Sequence, residues 1–221
     1  MTKEQVRQRI LEVKIVPVVR ASSPEQALGA ADAVRAGGIP IVEVTMTVPG
    51  ALDVVAQLLR TRPEITVGAG TVLDAETAQR CVDVGVHFLT SPGLHMPVME
   101  VAARHNTAVM PGALTPTEIC AAWKAGADFV KVYPCSAVGG PSYIHSMCAP
   151  FPDIPLLAAG GVNQHTATDY ILAGSAALGI GVELIPRAAI HGRNRDWIVE
   201  LAHRFLSILK SARAKSAHGS H

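Results

Sequence analysis

Short runs rich in β-branched residues alternate along this chain with longer, Ala-rich stretches whose apolar positions recur at helical spacing. Residues 2–13 predict an opening helix, with Thr2 and Gln5 spaced as a capping box. Strands are expected at 15–20, 41–45, 65–68, 87–90, 107–110, 129–133, 155–159 and 177–180. Between them the punctuation is helical. Ser23-Pro24 opens a helix that ends at Gly37-Gly38, Pro49 opens one to Leu59, and Thr115-Pro116 opens one to Ala125. Further helices are expected at 75–84, 97–105, 142–147 and 164–173, and a long one closes the chain at 196–212.

Strand and helix repeated eight times is the pattern of a (β/α)8 TIM barrel, here with an extra N-terminal helix. The right-handed crossover rule makes such a sheet parallel. An open, doubly wound α/β sheet is the alternative architecture. No Pro- or Ser-rich linker divides the chain, so residues 1–212 read as a single domain. The small, polar stretch 213–221 reads as a flexible tail.

Composition narrows the function. Lys and Arg number 19 against 18 Asp and Glu, a net charge of +1, which offers no electrostatic case for nucleic acid. Hydrophobic residues make up 49% and charged residues 17%, so the chain has the material for a large core and is not disordered. No apolar run reaches the roughly 18 residues of a membrane span, and MTKEQVRQRI lacks the apolar stretch of a secretory signal. The expectation is a protein of the cytoplasm, with Cys81, Cys120, Cys135 and Cys148 as reduced thiols. None of these pairs as CxxC and no HExxH occurs, so no metal site is expected from local spacing.

In such barrels chemistry belongs at the C-terminal ends of the strands. Polar residues and glycines collect there: Arg20, Glu43 with Thr45 and Thr47, Gly68 to Thr71, Thr90 to Gly93, Gly160-Gly161 and Gly179 to Gly181. Lys131 interrupts an apolar strand, FVKVY. Alternation puts Phe129, Lys131 and Tyr133 on one face and the two valines on the helix-covered outside, which aims Lys131 into the barrel. An unpaired ammonium is expensive to bury there. Glu43, in IVEVT, has the same inward logic and is the natural partner. A nucleophilic amine with a proton shuttle beside it is the functional reading. The bland readings are a lysine snorkelling to the rim and a structural ion pair. Arg20 is a second inward cation, able to hold a substrate carboxylate bidentately.

At these residues the sequence resembles the 2-dehydro-3-deoxy-phosphogluconate / 4-hydroxy-2-oxoglutarate aldolases, class I Schiff-base lyases. The matching stretches are IVPVVRA (15–21), GGIPIVEVTMTVPGAL (37–52), VGAGTVLD (67–74), FLTSPGLH (88–95), MPGALTPTE (110–118), FVKVYP (129–134), APFPDIPLLAAGGVN (149–163) and ALGIGVEL (177–184). The resemblance implies that Lys131 is the Schiff-base lysine and Glu43 the general acid/base. It implies that Thr71 bonds the pyruvyl carboxylate, that Pro92 and Tyr133 wall the imine, and that Gly160, Gly161, Gly181 and Val182 receive the distal phosphate. It also implies a homotrimer, a small 2-keto-3-deoxy sugar acid as substrate, and no metal or other cofactor.

Three positions depart from the family pattern. Thr47 stands where much of the family has the Arg that grips the pyruvate carboxylate, and Arg20 fits a branch that places the Arg on strand 1. Ala159 replaces a Thr before the two glycines. Val182, followed by Glu183, replaces a Ser, removing a hydroxyl from the phosphate loop. The aldol chemistry is unaffected by these changes, but the case for phosphate is weaker. The expected reaction is cleavage of 2-dehydro-3-deoxy-6-phosphogluconate, or a close relative, to pyruvate and glyceraldehyde 3-phosphate. The alternatives are an unphosphorylated substrate such as 4-hydroxy-2-oxoglutarate, a phosphate-binding isomerase or transferase barrel, and a sugar-acid-binding protein without turnover.

Overall fold

A computed structural model describes residues 1–218. The strands are β1 (Ile15–Val19), β2 (Ile41–Thr45), β3 (Thr66–Gly70), β4 (Phe88–Thr90), β5 (Ala108–Met110), β6 (Gly112–Ala113), β7 (Val130–Val132), β8 (Leu156–Ala159) and β9 (Ala177–Ile180). The helices are α1 (Lys3–Val13), α2 (Pro24–Ala36), α3 (Ala51–Thr61), α4 (Ala75–Val84), α5 (Met96–Arg104), α6 (Pro116–Lys124), α7 (Pro141–Cys148), α8 (Ala167–Leu172), α9 (Arg187–His191) and α10 (Arg195–His218).

All strand pairs are parallel, in the order β5-β4-β3-β2-β1-β9-β8-β7-β6. The two ends of that order are consecutive in the chain. They are halves of one barrel strand interrupted at Pro111, which has no N–H to give the ladder. The carbonyl of Pro111 still accepts from the Lys131 N–H at 2.9 Å. The sheet therefore closes on itself as a (β/α)8 barrel, and the open-sheet alternative is set aside.

Local signals position the helices. The Thr2–Gln5 and Thr115–Glu118 capping boxes are both formed, and Ser23 caps α2 ahead of Pro24. Helix α10 packs against both α2 and α8 and so completes the outer ring. It runs on to His218, past the expected end at residue 212, so 213–218 are helical rather than a tail. Residues 219–221 of the expected tail lie outside the described residues. The 3₁₀ turn Cys135–Val138 and the short α9 were not anticipated, because neither is long enough to show a periodic pattern.

The barrel interior is filled by matching large side chains to glycines. A Cβ on Gly68 would fall 2.0 Å from the Phe88 ring, so the ring occupies the space that Gly68 leaves open. Gly179 likewise yields to Ala159 and Leu157. Helix α1 buries Val6 and Ile10 and packs on β5 and β9. At that end the buried Asp128 accepts from the Val109 N–H at 2.8 Å and pairs with Lys3 at 3.1 Å and Arg7 at 3.7 Å. The buried carboxylate is thus fully compensated. The N-terminal mouth of the barrel is covered and the C-terminal mouth is left for function. Among the described residues no helix is long and apolar enough to cross a membrane.

His87 gives this fold a pH dependence. Its Nδ1 accepts the Val67 N–H at 3.0 Å, so the ring is held neutral, and burial lowers its pKa from 6.5. In the window below 6.5 the unfolded chain binds more protons than the native one, so stability is full above that value and falls as pH falls. Thermal unfolding of the wild type should shift to lower temperature between pH 7.5 and 5.5. His87→Asn, which keeps an acceptor but cannot titrate, should lose that part of the shift.

Candidate active site

The parallel register places inward-facing side chains in rings. Val18, Glu43, Gly68 and Phe88 are register partners across β1 to β4, and Gly112, Lys131 and Leu157 are partners across β6 to β8. Lys131 is 6% exposed and Glu43 2%. The Lys131 Nζ lies 3.5 Å from Glu43 Oε2 and within 3.4 Å of Thr90 Oγ1. The Tyr133 ring centroid is 5.9 Å from the same nitrogen. The alternation read from FVKVY and IVEVT thus brings the two charges together, and the snorkelling lysine is ruled out.

The carboxylate reaches its place because Gly70 has no side chain. A Cβ there would stand 2.0 Å from Glu43 Oε1. That Oε1 is buried and, among the described residues, has no hydrogen-bond partner. A buried carboxylate oxygen without a partner is costly in a structural ion pair but suits one that exchanges protons with a bound molecule.

Above the amine opens a cavity of about 190 Å³. Its lining includes Arg20, Tyr133, Gly160, Gly161, Gly181 and Val182 together with Lys131. Positive φ at Gly160 and Gly161 lets their backbone lie close to Pro134 and to Ser136, where a side chain would collide. Gly181 leaves room for the Arg20 guanidinium, whose Nη1 would be 3.2 Å from any Cβ placed there. Val182 is 52% exposed, and Glu183 also borders the cavity.

The other expected residues lie at the same barrel mouth but do not line this cavity. Thr47 lies in an adjoining cavity that shares Arg20, with its Oγ1 2.8 Å from that of Thr45. Thr71 follows β3 directly and holds φ at 58°, a left-handed conformation rare for a β-branched residue and typical of functional loops. The Pro92 carbonyl packs against Gly112, the register partner of Lys131. From the sequence Thr90 is read only as the start of a polar stretch at the barrel mouth, with no role at the amine. Its signal was present: it follows Phe88 by two residues on β4 and so shares that ring's inward face.

The Cys135 thiol is buried and pushed up to about 11 by desolvation, as is that of Cys81. All four cysteines are free. No cluster of three His, Cys, Asp or Glu placed to hold a metal occurs among the described residues.

The fold and this pair define a parallel barrel with a buried amine against a carboxylate at its catalytic mouth. The model of the KDPG and KHG aldolase family matches residues 6–201, and the chain belongs to that family. It is a lyase of the aldolase class. The chain is 28% identical over 209 residues to the 2-dehydro-3-deoxy-phosphogluconate aldolase of Haemophilus influenzae, covering 95% of this chain and 99% of the relative. It is 33% identical to a Rhizobium meliloti protein named "Probable 2-dehydro-3-deoxy-6-phosphogalactonate aldolase", covering 79% of this chain and 82% of that one. Among solved structures it resembles KDPG aldolase from Legionella pneumophila, captured at low pH with pyruvate as a covalent carbinolamine intermediate. The TM-score is 0.83 at 28% identity, covering 89% of this chain and 96% of that one.

Gly70→Ala tests how the carboxylate is placed. The added methyl has no room beside Glu43 Oε1, so the carboxylate must move away from the amine. Steady-state aldol cleavage should fall roughly 100-fold, the usual cost of a displacement of about 1 Å at a reacting group. Circular dichroism should show the fold retained.

Proposed function

We propose that the protein is a class I aldolase that cleaves a 2-keto-3-deoxy sugar acid to pyruvate and an aldehyde through a Schiff base on Lys131. The observation that supports this most is the buried contact, at 3.5 Å, between the Glu43 carboxylate and the Lys131 amine, which itself lines an open cavity. The carbinolamine trapped in the Legionella relative supports the same chemistry here.

In this reading the neutral amine of Lys131 adds to the C2 ketone. Glu43 moves protons through the carbinolamine, and loss of water gives an iminium, which acts as the electron sink. Glu43 then takes the C4 hydroxyl proton, and the electron pair of the breaking C3–C4 bond passes to the iminium. The aldehyde departs and an enamine remains. Glu43 returns a proton to C3, and hydrolysis frees pyruvate and the lysine. Oε2 of Glu43, which faces Nζ, carries these transfers. Thr90 orients the amine. Arg20, with Thr47 and Thr71 at the rim, receives the C1 carboxylate. Tyr133 and Pro92 wall the imine, while Gly160, Gly161, Gly181 and Val182 line the path of the leaving aldehyde. The best candidate substrate is 2-dehydro-3-deoxy-6-phosphogluconate or a close relative, giving glyceraldehyde 3-phosphate. Glu183 and the loss of hydroxyls at 159 and 182 favour, as a second reading, an unphosphorylated acid such as 4-hydroxy-2-oxoglutarate. A cytoplasmic homotrimer, as in the family at large, completes the proposal.

The test is reductive trapping with pyruvate and borohydride, followed by peptide mass spectrometry. An adduct confined to Lys131 is expected; none, or one spread over surface lysines, overturns the assignment. Glu43→Gln keeps the shape of the site and removes the proton carrier. Its kcat should fall by about 10²–10⁴, the range for loss of a general acid/base, while some adduct at Lys131 persists. Near-normal turnover in that variant would assign the proton transfers elsewhere.

A further inference from the structure

The Lys131 amine has two oxygen partners among the described residues, Glu43 Oε2 at 3.5 Å and Thr90 Oγ1 at 3.4 Å. Glu43 and Thr90 are both buried, and neither lines the cavity that opens over Lys131. The amine is therefore gripped by two oxygens outside the cavity and reaches it on its remaining side. The buried Thr45 hydroxyl, by contrast, braces the backbone, donating to the Val19 carbonyl at 3.1 Å. Thr90 Oγ1 makes no such bond: its one side-chain hydrogen bond among the described residues is with Nζ. Its strand holds it firmly in place. The Thr90 carbonyl accepts the Val72 N–H at 3.1 Å, and the N–H of Ser91 reaches the Met110 carbonyl at 3.4 Å, so β4 is tied on both sides where Thr90 faces the amine.

Two oxygens matter because the nitrogen changes its hydrogen count. The neutral amine carries two hydrogens. One passes to the carbinolamine oxygen and leaves in the water, so the iminium keeps a single N–H and a positive charge. Glu43 must then act as a base toward the C4 hydroxyl. Its Oε1 lies against Gly70, 2.0 Å from where a Cβ would stand, so the work falls to Oε2. A carboxylate oxygen that accepts a bond from the cationic N–H is a weaker base. We propose that Thr90 Oγ1 accepts the iminium N–H and so releases Glu43 Oε2 for the proton at C4 and, on the return, at C3. When the C3–C4 bond breaks, its electron pair passes through the iminium to Nζ, while the N–H stays on nitrogen against Thr90. Thr90 neither gains nor loses a proton, and it is a catalytic residue distinct from the proton carrier. This inference rests on the Schiff-base reading above.

The experiment compares the full chain with Thr90→Val, which removes the hydroxyl at nearly constant shape, and Thr90→Ser, which keeps it. Two rates are measured with pyruvate alone. Borohydride trapping at Lys131 reads imine formation. Exchange of the C3 hydrogens in deuterium oxide, followed by NMR, needs both the imine and a free base. Thr90→Val should leave trapping near the wild-type rate and slow exchange roughly tenfold, the scale of one hydrogen bond to a charged group. Thr90→Ser should restore most of the exchange. Thr90→Ala is read in the same way should circular dichroism show that valine disturbs the fold. An exchange-to-trapping ratio equal to that of the wild type overturns the role of Thr90 even where both rates fall, because a merely structural loss moves them together. Absence of a Lys131 adduct in the wild type strikes the Schiff-base reading and this inference with it, whereas an adduct with an unchanged ratio strikes only Thr90.

Discussion

An ammonium and a carboxylate enclosed in a narrow apolar barrel constrain everything around them. Burying either alone would cost several kcal/mol, and together they are tolerated only in contact with satisfied neighbours. Lys131 meets this requirement with Glu43 Oε2 and Thr90, whereas Glu43 Oε1 has no partner among the described residues. The surrounding sequence follows from that placement. Gly70 must lack a side chain so that the carboxylate can lie across β3, and Gly68 must lack one so that Phe88 can fill the layer beneath.

The two ends of the barrel are built on opposite principles. At the N-terminal end a buried Asp128 gathers a backbone donor and two cations, and α1 covers the opening with Val6 and Ile10. There the polar groups are paired. At the other end glycines at positive φ, a left-handed Thr71 and uncovered arginines leave backbone and charge unspent. One end closes the barrel rigidly so that the other can hold reactive groups in fixed register.

The positions read from the sequence as departures from the family pattern, Thr47, Ala159 and Val182, stand around the Lys131–Glu43 contact and not in it. The amine, the carboxylate and the glycines that make room for them are in place. Arg20 rises from the end of β1 and lines both cavities. Val182 and Glu183 follow β9 and border the cavity over Lys131, and Arg187 and His191 line the cavity beyond Arg20. The amine and the carboxylate thus stand on strand interiors, whereas much of the cavity lining comes from the loops and the short helix above them.

The sequence by itself determined the repeat of strand and helix, the caps at Thr2, Ser23 and Thr115, and the inward direction of Lys131 and Glu43. Each of these rests on a local rule: period-2 alternation, period-3.6 helices, or a cap within three residues. It also pointed to Arg20, Tyr133 and the paired glycines as residues of one barrel mouth. Only the tertiary structure decided that Lys131 and Glu43 touch, that Thr90 joins them, and that Arg20 divides its guanidinium between two cavities. It also decided that the fifth barrel strand breaks at Pro111 and still closes the sheet, and that Arg187 and His191 face the rim. The reason is physical. Alternation fixes which side of a strand a residue faces, whereas the distance between strands far apart in sequence depends on closure and register, which no local pattern encodes.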